Sequence, residues 1–242
     1  MIDSPSNQVV RRFRQLGRRR PAGEVLLEGP RVVKEAVACG VELELVALCD
    51  GFHFDLPAEQ TVIFSERALA AAADTVTPQG VLAIGRYAET SLVQAKAVAR
   101  AAGWPLLVLD RLQDPGNVGT ICRSAAAAGA PAMVALEGGA DPLGAKAIRA
   151  SAGAVFRLQL ARASWLELDG MSGFGAVPVG GMAPSSADLA AAQLIAIGSE
   201  AHGLRRHDLA PVTIPMATGV ESLNAAVAAA LLLFEVRRQR HI

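Results

Sequence analysis

Aromatic side chains make up only 4% of the 242 residues, cysteine occurs three times, and no apolar run approaches the length of a bilayer span. Few large aromatics argue against a β-sandwich. A hydrophobic content of 52%, much of it alanine, instead suits helices packed closely on a sheet, and predicts an α/β fold. Cys39, Cys49 and Cys122 stand at no paired or metal-binding spacing, so neither a disulfide scaffold nor a zinc site is expected, and the compartment implied is a reducing one. The longest apolar stretch, Leu223 to Phe234, is interrupted by Asn224 and runs into a charged tail. It falls short of the roughly 18–20 residues that cross a bilayer. The N-terminal arginines are followed by no apolar leader. The expectation is a cytoplasmic protein with no membrane span and no bound metal.

Excess charge is also missing: 23 basic residues balance 23 acidic ones, which excludes a diffuse attraction to polyanions. The charges are unevenly placed, however. Arg11, Arg12, Arg14, Arg18, Arg19 and Arg20 crowd the first twenty residues against Asp3 alone, and Arg237, Arg238 and Arg240 crowd the other end. Such runs are either solvated chain ends or phosphate-contacting arms, and the sequence leaves both open.

Strand and helix patterns alternate along the chain. Residues 21–90 read as a small α/β domain following a basic segment at 1–20. Residues 91–103, punctuated at their end by Gly103-Trp104-Pro105, read as a polar-to-alanine helix or linker between the two domains. From 104 to 242, nearly continuous apolar strands (Leu106 to Leu109, Ala132 to Leu136, Leu194 to Ile197) alternate with helices, which predicts a parallel sheet covered on both faces.

Three segments of this second domain carry chemistry. Asp114 to Arg123 links a strand to an alanine-rich helix, with glycines that permit close backbone approach. Asn117 in it is either a helix N-cap or a site residue. Arg123 stands among alanines with no acidic neighbour nearby in sequence. Gly198-Ser199-Glu200-Ala201-His202-Gly203 follows the strand ending at Ile197, where open α/β sheets bind ligands. Glu200 there is either a turn cap or a site residue, and His202 reads as a loop histidine. Ile214 to Asn224 leads into the last helix; Pro215 bars a central strand from continuing and forces an irregular loop, and Ser222 is a natural N-cap. Neither the dinucleotide glycine fingerprint nor a P-loop lysine is present, which argues against a doubly wound nucleotide-dependent enzyme.

In order and spacing, Asn117 with Arg123, Gly198-Ser199-Glu200 with Gly203, and Ile214-Pro215-Met216 with Ser222-Leu223-Asn224 resemble the three motifs of the SpoU (TrmH-like) RNA 2′-O-ribose methyltransferases of the SPOUT superfamily. Leu27-Glu28-Gly29-Pro30-Arg31 and Thr77-Pro78-Gln79-Gly80-Val81 resemble the smaller ribosomal-protein-like α/β substrate-binding domain that accompanies many members. The resemblance implies a C-terminal trefoil-knotted parallel-sheet methyltransferase domain, S-adenosylmethionine as cofactor, a homodimer and RNA as substrate. Large-subunit ribosomal RNA is favoured over transfer RNA; a non-catalytic RNA-binding relative is the alternative from a different class. It implies catalytic or loop-holding roles for Asn117, Arg123, Glu200, Ser222 and Asn224, and cofactor contacts from Gly198, Ile214, Met216 and Leu223. RNA contacts are expected from Arg11, Arg12, Arg18, Arg19, Arg20, Arg31, Lys146 and Arg149. Ala225 and Ala226 depart from the valine and second serine usual in the third motif. A guanidinium stays protonated at neutral pH, so Arg123 is expected to hold a phosphate and a developing alkoxide rather than to act as a base.

Overall fold

The structure, a computed structural model, describes residues 1–199 and 202–241. The chain divides into two compact units, Met1–Ala88 with Leu143–Phe156 and Glu89–Pro142 with Arg157–Ile242.

The first unit opens with α1 (Gln8–Arg18), capped by the Asn7 side chain. There follow β1 (Glu24–Glu28), α2 (Pro30–Ala38), β2 (Glu42–Cys49), β3 (Gln60–Phe64), α3 (Glu66–Ala72) and β4 (Val81–Arg86). The sheet runs β1-β4-β2-β3, antiparallel except for the β2/β3 pair. The N-terminal segment is neither a frayed end nor a free arm. Val10, Phe13 and Leu16 recur at helical spacing and are buried, and Phe13 meets Phe64 edge-on at 5.8 Å. Burying three such side chains contributes on the order of 1.5–3 kcal/mol each, which fixes α1 to the sheet.

The second unit begins with α4 (Leu92–Ala101), at the position read as a helix or linker. Ser91 caps it, and Ala95 and Ala99 are buried against the sheet; alanines on one face let the helix approach closely, so the stretch is structural. Next come β5 (Leu106–Asp110), α5 (Pro115–Ala128), β6 (Ala132–Leu136) and the short α6 (Ala145–Ala150). Although α6 lies in the second half of the chain, it packs in the first unit, where Ala145 joins the core of Phe13 and Phe64. Phe156 likewise stays in the first unit, edge-on to Tyr87 at 5.1 Å, and the next strand is β7 (Gln159–Ala163). β8 (Gly173–Ala176), β9 (Leu194–Gly198), β10 (Ala210–Val212) and α7 (Ala225–Gln239) complete the chain.

All six strands of the second sheet are parallel, in the order β10-β8-β9-β5-β6-β7. Every residue of β5 and β6 is buried, as a sheet covered on both faces requires. The strand order reverses between β5 and β9, and the last pair across that boundary is Asp110 with Gly198. The carboxyl ends at such a switch point leave a crevice. Arg237 and Arg240 are drawn inward: Arg237 donates to the carbonyl of Ala128 at the end of α5 (3.1 Å), Arg240 donates to Ala102 beyond α4 (2.6 Å) and lies over Trp104. Cations at helix carboxyl ends satisfy carbonyls that the helix leaves open. Among the described residues no helix is long and apolar enough to cross a membrane.

Candidate active site

A cavity of ≈ 340 Å³ opens at the carboxyl edge of the second sheet. Its floor is the end of β9, Ile197 and Gly198, with Ser199 and Gly203 beyond. One wall is the irregular loop after β10, carrying Ile214 and Met216; another is Ser222, Leu223 and Asn224 at the entrance to α7. Gly198, Ile214, Met216 and Leu223, expected from the sequence to serve one ligand, thus line one space, together with Ser222 and Asn224.

The loop is built by specific local contacts. Thr213 accepts from the Gly181 N–H (2.8 Å) and donates to the Val177 carbonyl (3.1 Å), so one hydroxyl ties the segment after β10 to the one after β8. The sequence reading passed over Thr213, since a lone threonine beside a strand has no distinguishing pattern. Asn224, rather than Ser222, is the N-cap of α7: its Oδ1 accepts from the N–H groups of Ala226 (2.9 Å) and Val227 (3.3 Å). Its Nδ2 donates to Asn117 Oδ1 at 3.0 Å. Asn117 is not a cap either, because Asp114 Oδ1 receives the Gly116 N–H and Pro115 occupies the first helical position. Ala225 and Ala226 are buried in the first turn of α7, which is capped without the missing hydroxyl.

Arg123 lies six residues, a little under two turns, along α5 from Asn117, roughly 9 Å along the axis. It is exposed, does not line the cavity, and has no hydrogen bond or ion pair among the described residues. Its neighbour Cys122 is sealed in the core, and burial pushes the thiol up to about 12, which excludes it as a nucleophile at neutral pH. Glu200 lies outside the described residues. His202 is exposed and donates its backbone N–H to Ser199 Oγ (3.2 Å). Among the described residues no group of three or more His, Cys, Asp or Glu is placed to hold a metal.

The lining suits one cofactor class. Its volume falls in the ~300–1,000 Å³ range of small-molecule sites. No lysine or arginine lines it among the described residues, so a phosphate would find no cationic side chain, whereas a sulfonium would meet no like charge. Aliphatic side chains suit an adenine ring, and the irregular loop leaves backbone N–H and C=O groups unspent on helix or sheet. The residues present therefore fit S-adenosylmethionine.

The expected RNA-contacting residues lie in the first unit and fall into two groups. Arg11, Arg18 and Arg19 on or beside α1, and Arg31 at the start of α2, are exposed with no hydrogen bond or ion pair among the described residues. Arg14 shares their face of α1. Lys146 is exposed on α6. Arg12 is instead engaged by Glu44 (2.6 Å) and Glu24 (3.5 Å), and its hydrogen bond holds the Glu44 carboxyl below the usual range. Arg20 turns back onto the carbonyls of Pro21 and Glu24. Arg149 pairs with Glu28 (2.5 Å) and Asp74 (3.0 Å), and Glu28 is almost wholly buried. A buried carboxylate such as Glu28 demands such a partner, so Arg149 serves the fold, while Arg12 is held by two partly buried carboxylates.

Comparison with known proteins follows the same division. Residues 105–234 match the model of the SpoU rRNA Methylase family, and residues 7–83 match the MRM3-like substrate binding domain. The 23S rRNA (guanosine(2553)-2′-O)-methyltransferase RlmP of Bacillus subtilis is 30% identical, over 98% of this chain and 98% of its own. The solved SpoU methyltransferase AviRb of Streptomyces viridochromogenes, in complex with AdoMet, superposes with a TM-score of 0.81 at 27% identity, covering 97% of this chain and 99% of its own. The AdoMet-bound rRNA methyltransferase of Sinorhizobium meliloti superposes with a TM-score of 0.81 at 25% identity, covering 98% and 97%.

Proposed function

The chain belongs to the SpoU rRNA methylase family, and from that premise we propose that the cavity at the end of β9 holds S-adenosylmethionine while the exposed Arg123 serves the RNA. The protein is an S-adenosylmethionine-dependent methyltransferase acting on ribose 2′-hydroxyls of RNA. The observation that carries the site assignment is convergence: the segments at Gly198–Gly203 and Ile214–Asn224 line one cavity, and the Asn117–Asn224 hydrogen bond ties the segment at Asn117 to its rim.

When bound, S-adenosylmethionine supplies an electrophilic methyl group on a sulfonium. The protein's task is to hold a ribose oxygen in line with it, and positioning of this kind provides much of the acceleration. Asn224 fixes the entrance to α7 and, with Ser222 and Leu223, the cavity wall. Asn117 holds Asn224 and so ties α5 to that wall. Arg123 binds a phosphate of the target strand and stabilises the alkoxide as it develops, with the proton passing to solvent. Glu200 belongs to the same reading as a loop-holding group. Phosphate binding by Arg11, Arg18, Arg19, Arg31 and Lys146 gives the first unit its affinity for RNA.

The target favoured is large-subunit ribosomal RNA, supported by the substrate-binding domain and by the activity of the RlmP relative. The working form is a homodimer in the cytoplasm, with the active site near the subunit interface. Support comes from Val227, Leu231 and Phe234, each 48% exposed, which form one apolar stripe along α7. The trefoil knot of the family belongs to this reading too, supported by the packing of α7 on both α5 and β9. Mapping ribose-methylated nucleotides in total RNA with and without the gene tests the assignment. A methyl group lost from one ribosomal nucleotide supports it; loss from transfer RNA alone, or from none, refutes it.

A further inference from the structure

β5 ends in a residue that its apolar strand does not explain. Asp110 follows Leu106 to Leu109 and its side chain is 0% exposed, a costly place for a carboxylate unless every lone pair is used. Its partners come mainly from the turn after β9. Oδ2 accepts the backbone N–H of Arg205 at 2.7 Å, and Oδ1 accepts Arg205 Nε at 3.0 Å. Arg111 Nε adds a contact to Oδ1 at 3.3 Å, from a backbone at φ 57 that non-glycine residues seldom adopt. One carboxylate thus grips Arg205 by main chain and side chain together, which sets both its place and its direction.

Between Gly198 and Arg205, Ser199 and Gly203 belong to the cavity floor. Gly198 pairs with Asp110 across the sheet, and Leu204 is buried in the core. Gly203 donates its N–H to the Ser199 carbonyl at 2.9 Å. Ser199 and Gly203 both face the cavity. Gly198, before Ser199, is therefore held by the sheet, and Arg205, after Gly203, is held by Asp110. We infer that Asp110 is a positioning residue for cofactor binding, acting through Arg205 on the cavity-lining residues Gly203 and Ser199. The inference rests on reading the cavity as the S-adenosylmethionine site.

The test uses the full chain with Asp110→Asn, Arg205→Gln, Arg205→Lys and the double variant Asp110→Asn/Arg205→Gln, measuring S-adenosylmethionine affinity by calorimetry, methylation kinetics and thermal melting. Asp110→Asn keeps the shape but turns an acceptor into a donor facing N–H groups; its Kd and KM for S-adenosylmethionine should rise at least tenfold. Arg205→Gln, which retains the main-chain bond, should raise them at least threefold, and Arg205→Lys should recover part of that loss. With cofactor saturating, kcat should stay within threefold of wild type, and the double variant should bind no more weakly than Asp110→Asn alone. Unchanged Kd with a lowered melting temperature would show that the pair serves only the fold, and unchanged Kd with a lowered kcat would place Asp110 elsewhere in the reaction; either overturns the inference. If Asp110→Asn does not fold, Arg205→Gln decides alone, since Arg205 is 42% exposed. A wild-type chain that does not bind S-adenosylmethionine overturns the reading of the cavity itself and this inference with it.

Discussion

Replacing Gly198 by alanine adds one methyl group at the floor of the cavity, and the surroundings decide its cost. A Cβ there would stand 2.4 Å from the carbonyl carbon of Gly203, 2.6 Å from its oxygen and 2.6 Å from the nitrogen of Leu204. All three are backbone atoms, so no rotamer change relieves the clash. Relief requires the Gly203–Leu204 segment to retreat by roughly 1 Å, the shortfall from the ~3.5 Å at which carbon atoms rest. Leu204 is 8% exposed and packed in the core, and Arg205 is held by Asp110, so the retreat is resisted. Overpacking of this kind costs about 1–3 kcal/mol. At about 3 °C per kcal/mol for a chain of this size, the melting temperature should fall by about 3–9 °C. Where the strain is relieved by opening the cavity wall, a loss of about 1.4–2.8 kcal/mol weakens cofactor binding about 10- to 100-fold. Thermal melts and calorimetric titration with S-adenosylmethionine measure both. A Gly198→Ala protein that melts within 1 °C of wild type and binds the cofactor within twofold would refute the steric argument.

Three further outcomes follow from the same geometry. Arg123→Ala, at an exposed position outside the cavity, should lower kcat about 10²- to 10³-fold, the cost of losing one donor to a developing oxyanion, with cofactor affinity unchanged; activity within a fewfold of wild type would remove its assigned role. Neutralising Arg11, Arg14, Arg18 and Arg19 to glutamine should flatten the salt dependence of RNA binding by about 0.7–0.9 per arginine that touches phosphate, while cofactor binding stays unchanged. Deleting residues 1–20 is not an equivalent experiment, since it removes Phe13 from the core, and an unaltered salt slope in the glutamine variant would return α1 to a purely structural role. Phe234→Glu should shift a dimer toward monomer in light scattering across a concentration series, because a charge on the exposed α7 stripe is costly only if a second copy covers it; a wild-type chain monomeric at every concentration would remove the dimer from the proposal.

Periodicity and composition determined the element order. Apolar runs such as Ala132 to Leu136 can be satisfied only as buried strands, and helix signals between them require parallel pairing, so the covered six-stranded sheet was legible from residues alone. The cavity-lining residues were legible only in part: Pro215 must break a strand and glycine beside a strand end marks close backbone approach, but that Gly198, Ile214, Met216 and Leu223 serve one ligand was implied by the resemblance of the motifs to the SpoU family, not by periodicity. The tertiary structure decided what depends on partners distant in sequence. Arg12 and Arg149 look as free as Arg11 in sequence, yet Glu44, Glu28 and Asp74 claim them. The stretch at 91–103 becomes a helix under the sheet because its small alanine face can approach closely, and α6 joins the first unit because its apolar side finds the core there. Asn117 and Asn224 could each cap a helix in sequence; only the meeting of α5 with the start of α7 makes one the cap and the other its partner. Asp110 escaped notice for the same reason, because a carboxylate ending an apolar strand has no meaning until Arg205, 95 residues later, is brought against it. Local pattern is set by the chain's own covalent spacing, whereas the use of a charged side chain is set by whichever opposite charge or backbone group folding delivers to it.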